Sequence, residues 1–323
     1  MKRSVMAVVG ALALALAIPG QAAANGTKKR VTASAKKPVK PVKVSKTGRA
    51  PVARAVASRA DEAVGYESLK GLAVQSSAFL VQDQSTGEIL IEKNASLVQP
   101  IASITKLMTA MVTLDAHLGL QETLTVSDED VDLLKGTRSR LKVGTRLTRE
   151  EMLRLALMSS ENRAASALGR HYPGGREAFI AAMNQKAVTL GLQDTRFADS
   201  TGLNSANVSS PRDLARLVDA AHQYPLIREF STAPDGEFAV AGRPMHFNNT
   251  NSLVKSPQWE IGLSKTGYIS EAGKCLVMQA WFNNKPTIIV LLDSWGKMTR
   301  IGDANRIKRW IESAGIPAFR RTS

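Results

Sequence analysis

The sequence predicts an α/β fold of the α+β kind. One five-stranded antiparallel sheet holds a helical subdomain, inserted between an N-terminal hairpin and three C-terminal strands. Three observations carry this. Strand-like runs gather at the two ends of the region 77–293, helical patterns fill its middle, and turn residues separate the last three strands by only a few positions.

The hairpin comes first. Ser77–Gln84 and Ile89–Lys93 are short apolar runs joined by Ser85-Thr-Gly-Glu88, a turn-forming sequence. Ser103–His117 is apolar nearly all round (Leu107, Met108, Met111, Val112, Leu114), the mark of a buried helix. Thr148-Arg-Glu-Glu151 is a capping box that opens a helix ending near Ser159. Further helices fit Arg176–Leu190 and Pro211–Tyr224, the latter with proline in its first turn. Strands follow at Ile261–Tyr268, Lys274–Phe282 and Thr287–Asp293, with Gly273 and Asn283-Asn284 marking the turns. A helix from about Thr299 to Ala314 closes the chain on the apolar face Ile301, Ile307, Trp310, Ile311.

Ahead of this domain stand two segments of other kinds. Lys2 and Arg3, an apolar run from Val5 to Ile18 and the small residues Ala22-Ala23-Ala24 read as a secretory signal peptide, residues 1–24, too short in its apolar run to span a bilayer comfortably. Residues 1–60 hold 13 Lys and Arg and no Asp or Glu, leaving 30 basic and 28 acidic residues in 61–323. The pI near 10.1 therefore belongs to the N-terminal region. Residues 25–60, rich in Lys, Pro, Val, Ala and Ser and without an aromatic residue, are expected to form a disordered basic arm. Export removes nucleic acid as its partner and leaves an anionic wall or membrane surface. The domain proper is 61–323. Its single cysteine, Cys275, precludes an internal disulfide and reads as a buried, inert thiol. Four scattered histidines (His117, His171, His222, His246) show no metal-ligand spacing, so no metal or other cofactor is expected.

Chemistry concentrates in three short motifs. In Ser-x-x-Lys the hydroxyl and amine share one helix face, and burial beside a second cation lowers a lysine's pKa until it can serve as base. The pattern occurs at Ser34–Lys37, Ser103–Lys106, Ser139–Lys142, Ser252–Lys255 and Ser294–Lys297, but only Ser103 opens a buried helix. Ser160-Glu-Asn162 follows the capped helix, in a loop where a hydroxyl can relay a proton and an amide can hold substrate backbone. Ser264-Lys-Thr-Gly267 lies on a strand, where Lys265 and Thr266 can bind a carboxylate and Gly267 permits close backbone approach. Its duplicate at Ser45–Gly48 falls in the basic arm and is a coincidence of composition. The three motifs stand in order, 57 and 103 residues apart. Two ammonium groups in one pocket repel, and Lys106, on the buried helix, is expected to be the one neutralised.

Together Ser103-Ile-Thr-Lys106, Ser160-Glu-Asn162 and Lys265-Thr-Gly267 resemble the signature of penicillin-binding proteins and serine β-lactamases. Pro100–Ala110, Asp199-Ser-Thr-Gly-Leu203, Asn207–Leu214 and Lys265–Tyr268 more closely resemble the D-alanyl-D-alanine carboxypeptidase/endopeptidase family, over about Ser76 to Ile311. The resemblance implies a β-lactamase/transpeptidase-like fold. It makes Ser103 the acyl-ester nucleophile, Lys106 its base, and Ser160 and Asn162 the proton relay and substrate clamp. Lys265 and Thr266 would bind the terminal carboxylate, and the N–H groups of Ser103 and Tyr268 would form the oxyanion hole. The region around Ser205 becomes a structural loop. No Glu-x-x-Leu-Asn loop lies between the second and third motifs, which separates the chain from class A β-lactamases. Only 56 residues follow Gly267, which resembles the soluble penicillin-binding protein 7 type of D,D-endopeptidase rather than carboxypeptidases with a second β domain. The implied partners are peptidoglycan stem peptides, with β-lactams as covalent inhibitors, and the implied compartment is the periplasm. Endopeptidase, carboxypeptidase and low-turnover penicillin-binding sensor share this machinery and stay open at this stage.

Overall fold

The computed structural model describes residues 72–296 and 298–313. The predicted signal peptide, the basic arm, both Ser-x-x-Lys and Ser-Lys-Thr-Gly copies within that arm, Lys297 and Ala314 lie outside the described residues.

Five strands, β1 (Ala78–Asp83), β2 (Ile89–Lys93), β3 (Glu260–Ile269), β4 (Gly273–Phe282) and β5 (Lys285–Ser294), form one antiparallel sheet. Their spatial order is β2-β1-β5-β4-β3. The hairpin therefore docks on the last strand, Ala78 opposite Leu292 and Asp83 opposite Thr287. Period-two alternation sends successive side chains to opposite faces. Here both faces are buried. Leu80, Cys275, Val277, Val290 and Leu292 join a core under the helical subdomain. Phe79, Leu276, Met278, Ile289 and Leu291 join a second core under the C-terminal helix. This explains why the strands read as near-continuous apolar runs.

The helical subdomain holds α1 (Lys106–Asp115), α2 (Arg149–Met158), α3 (Asn162–Arg170), α4 (Gly175–Thr189), α5 (Pro211–His222) and α6 (Pro225–Thr232); α7 (Thr299–Ser313) closes the chain. The Thr148 hydroxyl accepts the Glu151 N–H and the Glu151 carboxylate receives the Thr148 N–H, as the capping box requires. Ser103 sits one step earlier than expected, in a 3-10 turn (Ala102–Thr105) that feeds α1.

Among the elements that went unforeseen, three have a plain physical reason. The N-cap of α3, Glu161, makes no side-chain capping bond, and of its buried residues only Leu168 is a large apolar side chain, so neither a cap nor an apolar stripe announces it. At eight residues, α6 is too short to show a period. The ribbon Asp235–Val240 with Arg243–Asn248 turns at Ala241-Gly242 and carries Gly236 and Pro244 inside its strands, which argue against a strand in sequence. No helix among the described residues is long and apolar enough to cross a membrane.

Candidate active site

The site lies where the 3-10 turn, α1, the α2–α3 loop and the free edge of β3 converge. Lys106 is fully buried, while Ser103 is half-buried. The Lys106 ammonium donates to Ser103 Oγ at 2.8 Å, Asn162 Oδ1 at 2.7 Å and the Thr201 carbonyl at 2.6 Å. The orientation of Asn162 follows from its other neighbours. Asp132 can only accept, so the Thr137 hydroxyl donates to it (2.7 Å) and accepts Asn162 Nδ2 (3.2 Å), turning the amide oxygen toward Lys106. Across the cleft, Lys265 donates to Ser160 Oγ at 2.9 Å and to the Thr266 carbonyl at 3.0 Å. Five of the sequence-predicted residues, Ser103, Lys106, Ser160, Asn162 and Lys265, thus meet in two hydrogen-bonded groups.

Backbone strain marks the same place. Ala102 and Ser160 are non-glycine residues at positive φ, 49° and 58°. Such conformations cost on the order of 1–3 kcal/mol each and persist only where the surroundings impose them. For Ala102 the surroundings are the loop 199–207: a Cβ on Gly202 (φ 82°) would come within 2.0 Å of the Ala102 carbonyl oxygen. Asn207, fully buried, ties that loop to the turn by donating to Thr105 Oγ1 (3.0 Å) and to Asp199 Oδ1 (2.8 Å). Asp199 in turn accepts the Gly202 N–H at 2.7 Å.

Gly267 lies where the edge strand passes the serine turn. A Cβ there would lie 2.8 Å from the Ile101 carbonyl and 3.2 Å from Ser103 N, so the edge strand runs against the serine turn. Thr266 Oγ1 donates to Thr250 Oγ1 at 2.7 Å. Tyr268, the residue after Gly267, is 61% exposed. Sequence reasoning missed Arg300, which donates to the Gly267 carbonyl at 3.1 Å and the Cys275 carbonyl at 3.3 Å. A trans peptide points its N–H away from its C=O, so this grip aims the Tyr268 N–H away from Arg300.

Charge completes the arrangement. Burial pushes the Lys106 ammonium down to about 7, with Asp199 and Glu161 pulling it back up. Lys265 falls well below the ordinary lysine value, through burial first and then the Lys106 and Arg300 charges. The expectation that Lys106 alone is neutralised is therefore corrected. Both lysines are driven toward the neutral form, and the charges bearing on Lys265 are cationic only. Cys275 is buried, and burial pushes its thiol up to about 11, which keeps it inert.

The family model described as D-alanyl-D-alanine carboxypeptidase matches residues 65–296. The chain belongs to this peptidase family. It is 46% identical over 270 residues to the D-alanyl-D-alanine endopeptidase of Pseudomonas aeruginosa, covering 83% of this chain and 86% of that one. It is 47% identical over 246 residues to the D-alanyl-D-alanine endopeptidase of Escherichia coli, covering 75% and 79%. Among solved structures, the Streptomyces K15 DD-transpeptidase superposes with a TM-score of 0.69 at 29% identity, over 73% of this chain and 97% of that one. The hydrolase class and the fold expected from the motifs both stand.

Proposed function

We propose that this chain is an exported serine D,D-endopeptidase that hydrolyses D-alanyl cross-links of peptidoglycan in the periplasm and is acylated by β-lactams at the same serine. The observation that carries the reading is the Lys106 amine held at once by Ser103, Asn162 and Thr201. Neutral Lys106 takes the Ser103 proton as Oγ attacks the D-alanyl carbonyl. The oxyanion is received by the N–H groups of Ser103 and Tyr268, Ser160 passes a proton to the leaving amine, and water then cleaves the ester. Asn162 clamps the substrate backbone, Lys265 and Thr266 take the carboxylate beyond the broken bond, and Gly267 lets it approach. A substrate carboxylate supplies the counter-charge Lys265 lacks, restoring its ammonium, and that charge in turn favours proton loss from Lys106.

The two relatives above carry the endopeptidase name, which favours that activity. The family description itself favours the second reading, a carboxypeptidase trimming stem pentapeptides with the same residues. Fluorescent penicillin should label the protein covalently and leave Ser103→Ala unlabelled. Digestion of cross-linked muropeptides, followed by chromatography, should convert dimers to monomers. Dimers left intact while pentapeptides shorten would assign carboxypeptidase instead, and label without turnover would assign a sensor.

A further inference from the structure

Past Gly267 the edge strand runs onto a surface that the D-alanyl chemistry leaves unused. On β3, Lys265 and Gly267 stand opposite Val277 and Cys275, which face the helical subdomain, whereas Thr266 and Tyr268 stand opposite Leu276 and Lys274 on the other face. There Tyr268 is 61% exposed and Trp295, immediately after β5, is 78% exposed. Lys274 holds its ammonium 4.4 Å from the centre of the Tyr268 ring. Tyr268, Lys274, Trp295, Ser270 and Asp293 line a cleft of about 380 Å³. The Asp293 carboxylate already accepts the Ser77 hydroxyl at 2.8 Å, whereas Lys274 rests on an aromatic ring. Two large exposed aromatics beside a lysine form a patch suited to a peptide that carries a carboxylate.

The D,D-peptidase reading, on which this inference rests, fixes which part of the substrate arrives here. With the carboxylate at Lys265 and Thr266 and the scissile carbonyl at the N–H groups of Ser103 and Tyr268, the chain on the amino-terminal side of the broken bond continues past Tyr268. A peptide laid along an open sheet edge sends alternate side chains to the two faces. One of them falls on the face of Tyr268 and Trp295. We propose that the cleft between Tyr268, Lys274 and Trp295 is a subsite for the carboxylate-bearing stem-peptide segment amino-terminal to the scissile D-alanine. Trp295 and Lys274 are then specificity residues, which separate a complete stem from a bare acyl-D-alanyl-D-alanine.

Trp295→Ala and Lys274→Ala in the full chain test this with two substrates, a muropeptide bearing the whole stem and a short acetylated peptide ending in D-alanyl-D-alanine. For the stem substrate, kcat/KM should fall about tenfold through KM, the scale of one lost charge-assisted or aromatic contact, and Lys274→Arg should restore it. The short substrate and penicillin labelling should change less than twofold. In Ser103→Ala protein the stem peptide should shift tryptophan emission, and the shift should vanish when Trp295→Ala is added. Equal losses on both substrates, or none on either, would overturn the subsite. Loss of Ser103-dependent penicillin labelling in the unsubstituted chain would instead remove the D,D-peptidase reading and this subsite with it.

Discussion

At Lys106 the proton inventory dictates direction. Asn162 Oδ1 and the Thr201 carbonyl can only accept, so once Lys106 is neutral its two remaining N–H groups stay with them. Its lone pair is left facing the Ser103 hydroxyl. The rate of acylation by penicillin should therefore climb with pH through an apparent pKa near 7 and then level off, as measured by stopped-flow labelling. Lys106→Arg should abolish it, because guanidinium holds its proton. The same shift has a stability sign. Folded Lys106 loses its proton near 7 and the unfolded residue near 10.5, so the unfolded state binds more protons in that window and stability rises with pH across it. Lys265 acts in the same direction. Ser160 offers a separate test, since its φ of 58° favours glycine. Ser160→Gly relieves that φ but removes an acceptor of the buried Lys265 amine, so the two effects should offset to within about 1–2 kcal/mol of thermal stability, while acylation falls on the order of a hundredfold. Matching losses in both would make Ser160 a structural residue.

At the scale of elements, the three motifs were legible because each is a pattern of side chains within three or four consecutive residues, although Ser103 falls in a 3-10 turn and Asn162 opens α3. What holds them was not. The Thr201 carbonyl that anchors Lys106 is a backbone group 95 residues away, and no side-chain pattern announces a carbonyl. Arg300 acts on the Gly267 carbonyl from the start of α7 in the same way. The sheet was legible from apolar runs and turns, yet α3 and the ribbon lacked caps or carried strand-breaking residues. The region around Ser205 reads as a structural loop only by resemblance; in the structure, Gly202 nearby lets the loop 199–207 lie on the serine turn. Gly202→Ala places a Cβ where 2.0 Å separates it from the Ala102 oxygen and asks alanine to hold φ 82°. It should cost about 3 kcal/mol or more in urea denaturation. It should also slow acylation of whatever protein stays folded. Full stability with full acylation would show that the loop and turn can part freely.

Over the whole molecule, charge and chemistry are separated along the chain. Residues 61–323 are almost neutral, with 30 basic and 28 acidic side chains, while residues 25–60 carry eleven positive charges and no acid. Every residue of the candidate site lies in the first of these regions. The arm's composition suits long-range attraction to an anionic surface, of wall stem peptides or phospholipid headgroups. Each lysine or arginine near an anionic membrane contributes on the order of 1 kcal/mol, and less as salt shortens the reach of the field to about 8 Å at physiological ionic strength. Deleting residues 25–60 should therefore leave the rate of penicillin acylation unchanged and weaken cosedimentation with isolated wall sacculi, with the difference largest at low salt and shrinking as salt is added. Vesicles of anionic and of neutral lipid, run beside the sacculi, separate the two surfaces. Equal pelleting of deleted and full chains at low ionic strength would leave the arm's charge without a tethering role.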